Sequence, residues 1–112
     1  MSYKTQTRLW VAQRASAAVL AVCVAVHLVT IVYAVRGGLS AAEILGRTRG
    51  NGAWLAFYSI FVLAAAVHAP IGLRSVFMEW LRWRGRSLDV FLLAVSIMIL
   101  ALGMRAAISV FT

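Results

Sequence analysis

The sequence has few charged or reactive side chains for its length. Of its 112 residues, three are acidic, two are histidines, one is a cysteine and one is a proline. The acids Glu43, Glu79 and Asp89 all lie at or near the ends of apolar runs, and no phosphate loop, zinc spacing or carboxylate pair is found. Hydrolase and kinase chemistry is therefore excluded on this chain. Cys23 is alone inside an apolar run and is interpreted as a small packing residue.

Long hydrophobic runs take up most of the chain. Hydrophobic residues make up 63% of the sequence and charged residues 12%, whereas a soluble domain is roughly half apolar and a quarter charged. Three runs, at about 10–35, 53–78 and 88–111, exceed the ~20 residues that cross a ~30 Å hydrocarbon layer. The first run is too long for a signal-peptide core of about 7–15 residues. The sequence predicts one all-α membrane domain over residues 1–112, an up-down-up bundle of three transmembrane helices.

Basic residues predict the orientation of these helices. The net charge of +8 would suggest nucleic acid as the partner of a soluble chain, but in a membrane chain it indicates topology, and no nucleic-acid partner is expected. Seven basic residues lie at the amino-terminal end or around the connection between the second and third helices, and four lie on the other side: Lys4, Arg8, Arg14, Arg74, Arg82, Arg84 and Arg86 against Arg36, Arg47, Arg49 and Arg105. The positive-inside rule therefore predicts a cytoplasmic amino terminus.

Short turn signals separate the helices. Asn51-Gly52 marks the turn into the second helix, and Gly85 marks the turn into the third. The pattern Ser40-x-x-Glu43 in the first connection is a capping box. We therefore expect one short interfacial helical turn to begin there.

Two histidines are the main candidates for chemistry. Ionisable side chains inside a bilayer are costly, and they usually face the bundle interior with a partner. His27 and His68 lie well inside the first and second runs. A lone membrane histidine is most simply a neutral imidazole hydrogen-bonded to a neighbouring helix. Two on adjacent helices, with no cysteine or carboxylate beside them to build a zinc site, favour axial ligation of haem.

The depths of the two histidines bear on how many haems are bound. From the centres of the runs, His27 is expected about 7 Å outward of the midplane and His68 about 4 Å inward. A difference of about 11 Å is too large for two axial ligands of one iron. Two interpretations remain: two haems, each with a second ligand from another chain, or one haem with the other histidine structural.

The surroundings of His68 suit a flat cofactor. Pro70 removes a backbone hydrogen bond and frees the carbonyl of Ala66. Gly72, one turn beyond His68, leaves room for a macrocycle, and Arg74 lies near enough to the interface to reach a propionate. Ordinary use of proline and glycine in membrane helices explains Pro70 and Gly72 equally well.

Two stretches of the sequence resemble one protein family. The stretch HAPIGLR at 68–74, followed by Glu79-Trp80, resembles the second-helix motif of the succinate dehydrogenase and fumarate reductase membrane anchors, where a haem-ligating histidine precedes x-x-x-Gly-hydrophobic-Arg. The stretch QRASA at 13–17 resembles the family's His-Arg-x-Ser-Gly, and His27 lies where the dihaem branch has a second ligand. The chain departs from the family at Gln13, Ala17 and Trp10, which stand where the family has histidine, glycine and often serine.

The resemblance implies a function. It implies a non-catalytic anchor subunit in the cytoplasmic membrane, bacterial by expectation, that holds a flavoprotein and an iron–sulfur subunit and passes electrons to or from quinone in the respiratory chain. Haem b, one or two, is expected on His68 and His27, with Arg74 at a propionate, and quinone near Arg14, Ser16 and Trp80. A second anchor chain, either unlike this one or a copy of it, is expected to complete the sites. The alternative is a haem-free small anchor or transporter subunit with structural or proton-responsive histidines.

Overall fold

The computed structural model describes residues 2–38 and 40–112. This part of the chain forms four α-helices and no strand: α1 (Tyr3–Gly37), α2 (Ala41–Thr48), α3 (Gly52–Trp80) and α4 (Arg86–Phe111). Among the described residues, α1, α3 and α4 are long and apolar enough to cross a membrane. The predicted all-α architecture with three spans is confirmed. The three spanning helices begin earlier than their predicted apolar runs, and α1 and α3 also end later.

The central helix of the bundle is α3. It packs against α1 on one side and α4 on the other, and the short helix α2 contacts both α1 and α4. At the end where α2 lies, the backbone N–H of Gly50 donates to the carbonyl of Phe111 at 2.7 Å. We call this the α2 end. The opposite end, where α1 begins and residues 81–85 join α3 to α4, is called the loop end.

Side-chain caps begin α2 and α3. The Ser40 hydroxyl accepts a hydrogen bond from the backbone N–H of Glu43 at 3.1 Å, which confirms the expected short helix. The Asn51 side chain accepts from the N–H of Ala53 at 3.0 Å and from that of Trp54 at 3.4 Å. These bonds satisfy backbone donors that have no partner within the helix.

The buried interior is made mostly of small residues. Ser16 and Cys23 of α1 and Ala66 of α3 are 7%, 4% and 4% exposed. The structure therefore agrees with the interpretation of Cys23 as a packing residue. Large apolar side chains such as Leu93, which is 62% exposed, point away from the bundle. In a bilayer such side chains face lipid or another chain, because burial between helices brings no hydrophobic gain there.

Proline does not break the central helix. Pro70 lies inside α3, which runs without interruption from Gly52 to Trp80. Pro70 has no N–H to donate to the carbonyl four residues earlier, which belongs to Ala66. That carbonyl instead accepts a hydrogen bond from the Ser96 hydroxyl of α4 at 2.8 Å.

Candidate functional site

The structure places His68 of α3 against Ser16 of α1. The His68 Nδ1 lies 3.5 Å from the Ser16 Oγ, and the Ser16 hydroxyl donates to the carbonyl of Gln13 at 3.1 Å. A hydroxyl has one proton, so Ser16 is left as an acceptor for an Nδ1–H of His68. This tautomer leaves the lone pair of Nε2 free. The three residues together are called the His68 layer.

The structure surrounds His27 of α1 with aromatic residues of α3. The His27 Nδ1 lies 3.4 Å from the Tyr58 hydroxyl oxygen. The imidazole packs edge-on against the rings of Tyr58 and Phe61, each with 5.8 Å between centroids. These three residues are called the His27 layer.

Sequence reasoning missed Tyr58 and Phe61, although the antiparallel register of α1 and α3 was available to find them. In an antiparallel pair, the numbers of facing residues have a nearly constant sum. The sum is 84 for Ser16 and His68, and 85 for His27 and Tyr58. Pairing the serine and histidine of the two family-like stretches would therefore have placed His27 opposite Phe57, the residue next to Tyr58 in sequence.

The two layers are far apart along the bundle. Tyr58 and His68 are ten residues apart on α3, which at 1.5 Å a residue is about 15 Å. Ser16 and His27 are eleven residues apart on α1, or about 16 Å. This separation exceeds the value expected from sequence, so the two imidazoles of one chain cannot be the axial pair of a single iron.

The His27 layer borders two cavities at the α2 end. The larger, of about 440 Å³, is lined by residues of all four helices: His27, Ile44, Thr48, Tyr58, Phe61, Val62, Gly103, Ala106, Ala107 and Val110. The smaller, of about 180 Å³, shares His27, Ile44, Thr48 and Tyr58 with it. Both walls are mostly apolar. His27 thus has empty, apolar space beside its ring.

A third cavity lies between α1 and α3 at the loop end. It has a volume of about 350 Å³ and is lined by Gln6, Leu9, Trp10, Gln13, Ile71, Arg74, Ser75 and Met78. Gly72 of α3 lies against α1 here, since a Cβ at this glycine would be 3.2 Å from the Gln13 Nε2. Gly72, which was expected to make room for a macrocycle, makes room for Gln13 in the structure.

The three residues expected around quinone do not lie together. Ser16 is buried in the His68 layer, while Arg14 is exposed, its guanidinium 5.1 Å from the ring centroid of Trp10. Trp80 is 80% exposed at the end of α3. None of the three lines the loop-end cavity, and Trp10 is the wall residue that Arg14 contacts.

Arg74 has a partner on the neighbouring helix. Its guanidinium forms an ion pair with the carboxylate of Asp89 at the start of α4, with side chains 23% and 54% exposed. Arg74 also lines the loop-end cavity. It is therefore held at the loop end by α4 while its side chain borders the α1–α3 cavity.

Three spanning helices, with a histidine layer between α1 and α3 at each of two depths, define an integral membrane protein of the anchor type. The chain belongs to the succinate dehydrogenase/fumarate reductase transmembrane subunit family, whose model matches residues 1–104. Membership confirms the resemblance seen in the sequence and supports a membrane-anchor role in a complex with catalytic subunits. No curated protein and no solved structure was found that matches the chain.

Proposed function

We propose that this chain binds haem b through His68 and passes electrons between an iron–sulfur subunit and the quinone pool. The observation that carries the proposal is the Ser16 hydroxyl, which donates a hydrogen bond to the Gln13 carbonyl and so offers its oxygen as an acceptor to the His68 Nδ1. A metal-ligating histidine commonly donates its other ring N–H to an acceptor, which fixes the tautomer and raises ligand basicity. His68 meets that requirement and keeps Nε2 for the iron. Haem supplies a one-electron carrier within the membrane.

His27 is proposed as the ligand of a second haem. It lies beside mostly apolar space of about 440 Å³, and the Tyr58 hydroxyl lies within hydrogen-bonding distance of its Nδ1. Since the two layers are about 15 Å apart, each iron needs its other axial ligand from another chain. The partner is a second anchor chain, unlike this one or a copy of it, that presents imidazoles at the same two depths.

Quinone is proposed to bind at the loop end. The cavity there is apolar on most of its wall and offers donors from Gln13, Arg74 and Ser75. Arg14 adds positive charge next to this cavity through its contact with Trp10, where it stabilises a reduced quinone anion. Trp80 is exposed and is proposed to contact a neighbouring subunit. Ser16 is proposed to orient His68 and not to contact the quinone.

The loop end is proposed to face the cytoplasm of a bacterial cell. Seven of the eleven basic residues lie at or near this end of the bundle. The positive-inside rule makes the end with more basic residues the cytoplasmic one. The flavoprotein and iron–sulfur subunits would then dock beside the proposed quinone site. A reporter joined after Thr112 that works only in the cytoplasm, if active, would contradict this orientation.

The haem proposal is tested by a reduced-minus-oxidised absorption spectrum of the purified membrane complex. We expect b-type bands in the wild type, and the His68 component should be lost in both His68→Ala and His68→Asn. Asparagine places a polar atom near the position of Nδ1, so it keeps a partner for Ser16 without presenting a ligand at Nε2.

The matched pair of variants is His27→Ala and His27→Asn. Both should remove the b-type component assigned to His27 and keep the one assigned to His68. A complex that assembles without any b-type bands would favour the haem-free anchor. That alternative has its own support, because each imidazole has a hydroxyl within 3.5 Å and needs no metal to satisfy Nδ1.

The quinone proposal is tested by Arg14→Leu. We expect quinone reduction to fall while dye-linked activity of the catalytic subunits stays at the wild-type level. Arg8→Leu is the control, because it removes the same charge from the same end of α1 without the contact to Trp10. If Arg14→Leu and Arg8→Leu reduce quinone equally well, Arg14 has no role at the quinone site and contributes only to the orientation of the helices.

A further inference from the structure

Ser96 is the residue of α4 that reaches the backbone next to His68. Its hydroxyl donates to the carbonyl of Ala66 at 2.8 Å, between two helices. Ala66 is 4% exposed and precedes His68 by two residues. The bond is shorter than the contact of His68 with Ser16, at 3.5 Å. The shorter of these two contacts therefore comes from α4, a helix that carries no histidine.

Pro70 explains why the Ala66 carbonyl is available for the hydrogen bond from Ser96. In an uninterrupted helix the Ala66 carbonyl would accept from the N–H of residue 70, and proline has none. A carbonyl left unpaired in an apolar environment is unfavourable, and neighbouring helices in membranes often satisfy such groups through serine or threonine. The side chain of Ser96 takes the place of the missing N–H. As a result, the turn of α3 before His68 is fixed to α4 as well as to its own helix.

We infer that Ser96 is a positioning residue for His68, holding the Ala66 turn so that the imidazole keeps one orientation toward the iron. This inference rests on the proposed ligation of haem by His68. Ser16 orients the ring from α1, and Ser96 fixes the backbone from α4. His68 is thereby held at its ring by α1 and through its backbone by α4.

The direct test is Ser96→Ala in the assembled complex. We expect the b-type bands to remain, while the low-spin ferric EPR signal of the His68 haem broadens and its midpoint potential shifts. That EPR signal depends on the orientation of the axial imidazole planes, which general loss of stability does not alter. The control is Ser109→Ala on the same helix, where the hydroxyl donates to the carbonyl of Arg105 within α4. The control should leave the EPR signal and the potential unchanged.

A second variant keeps the test decisive if Ser96→Ala assembles poorly. Pro70→Ala restores an N–H for the Ala66 carbonyl, so the hydroxyl of Ser96 becomes redundant. The double variant Pro70→Ala/Ser96→Ala should therefore match Pro70→Ala alone in assembly, EPR signal and potential. Equal effects of Ser96→Ala with and without Pro70 would overturn the inference, and so would an unchanged EPR signal in Ser96→Ala.

Failure of the proposed function gives a different result. In that case His68→Ala leaves the b-type bands intact, or the wild-type complex has none. If His68→Ala removes bands and Ser96→Ala changes neither EPR signal nor potential, haem ligation stands and the positioning role of Ser96 is wrong.

Discussion

The two histidine layers differ in how firmly they hold the imidazole. In the His68 layer the Ser16 hydroxyl donates its hydrogen bond to a backbone carbonyl and is left to accept from the His68 Nδ1, so one tautomer is favoured. In the His27 layer the Tyr58 hydroxyl is free to donate or to accept, and cavities of about 440 Å³ and 180 Å³ adjoin the ring. The same side chain thus has one favoured tautomer at one depth and lies beside open apolar space at the other.

Two glycines show a second contrast, this time between helix pairs. At the His27 layer, a Cβ on Gly103 of α4 would lie 2.7 Å from both γ-carbons of Val62. At the loop end, a Cβ on Gly72 would lie 3.2 Å from the Gln13 Nε2, the far end of a flexible side chain. Val62 is β-branched and has few rotamers. The α3–α4 contact is therefore the rigid one, and the α1–α3 contact is able to adjust.

The largest effect is expected from Gly103→Ala. The added methyl forces α3 and α4 apart, which should lower the free energy of unfolding by about 1–3 kcal/mol. Gly72→Ala should change it by less than about 1 kcal/mol, because alanine favours the helix and Gln13 is able to move. Thermal unfolding of the detergent-solubilised complex measures both.

Val62→Ala should rescue Gly103→Ala, since it removes the two γ-carbons that the new methyl meets. If bands are present, Gly103→Ala should also disturb the His27 component more than the His68 component. A Gly72→Ala variant less stable than Gly103→Ala would reverse the contrast between rigid and adjustable contacts.

The sequence predicted the helices better than it predicted the sites. Hydrophobic runs and caps are local, and they gave three spans, the up-down-up order and the short helix after Ser40. The partners of His27 depend on which residues of α3 face α1, and no local pattern predicts that register. Only the assumption that Ser16 faces His68 would have brought His27 near Tyr58. Arg74 was expected at a propionate because it lies near the interface, and no local pattern showed its partner Asp89, which lies on another helix, fifteen residues away in sequence.

A smaller effect is expected from Tyr58→Phe. It removes the hydroxyl near the His27 Nδ1 and leaves the aromatic packing, so the loss of stability should be about 1 kcal/mol or less. The potential of the His27 component should shift while the His68 component stays. Ser16→Ala is the mirror variant and should shift the His68 component only. If either variant shifted the potentials of both components, the two layers would be coupled and could not be treated as separate environments.

The smallest effect is expected from breaking the ion pair between Arg74 and Asp89, which lies at the loop end beyond both layers. The Asp89 side chain is 54% exposed, so solvent screens the interaction and Asp89→Asn should cost at most about 1 kcal/mol. Arg74→Leu breaks the same pair and also removes the cation that the family resemblance assigns to a haem propionate. If Arg74 serves only Asp89, both variants should have the same melting temperature and the same potential for the His68 component. We expect equal melting temperatures and a changed potential in Arg74→Leu alone, because a nearby positive charge stabilises a propionate and Asp89→Asn leaves that charge in place.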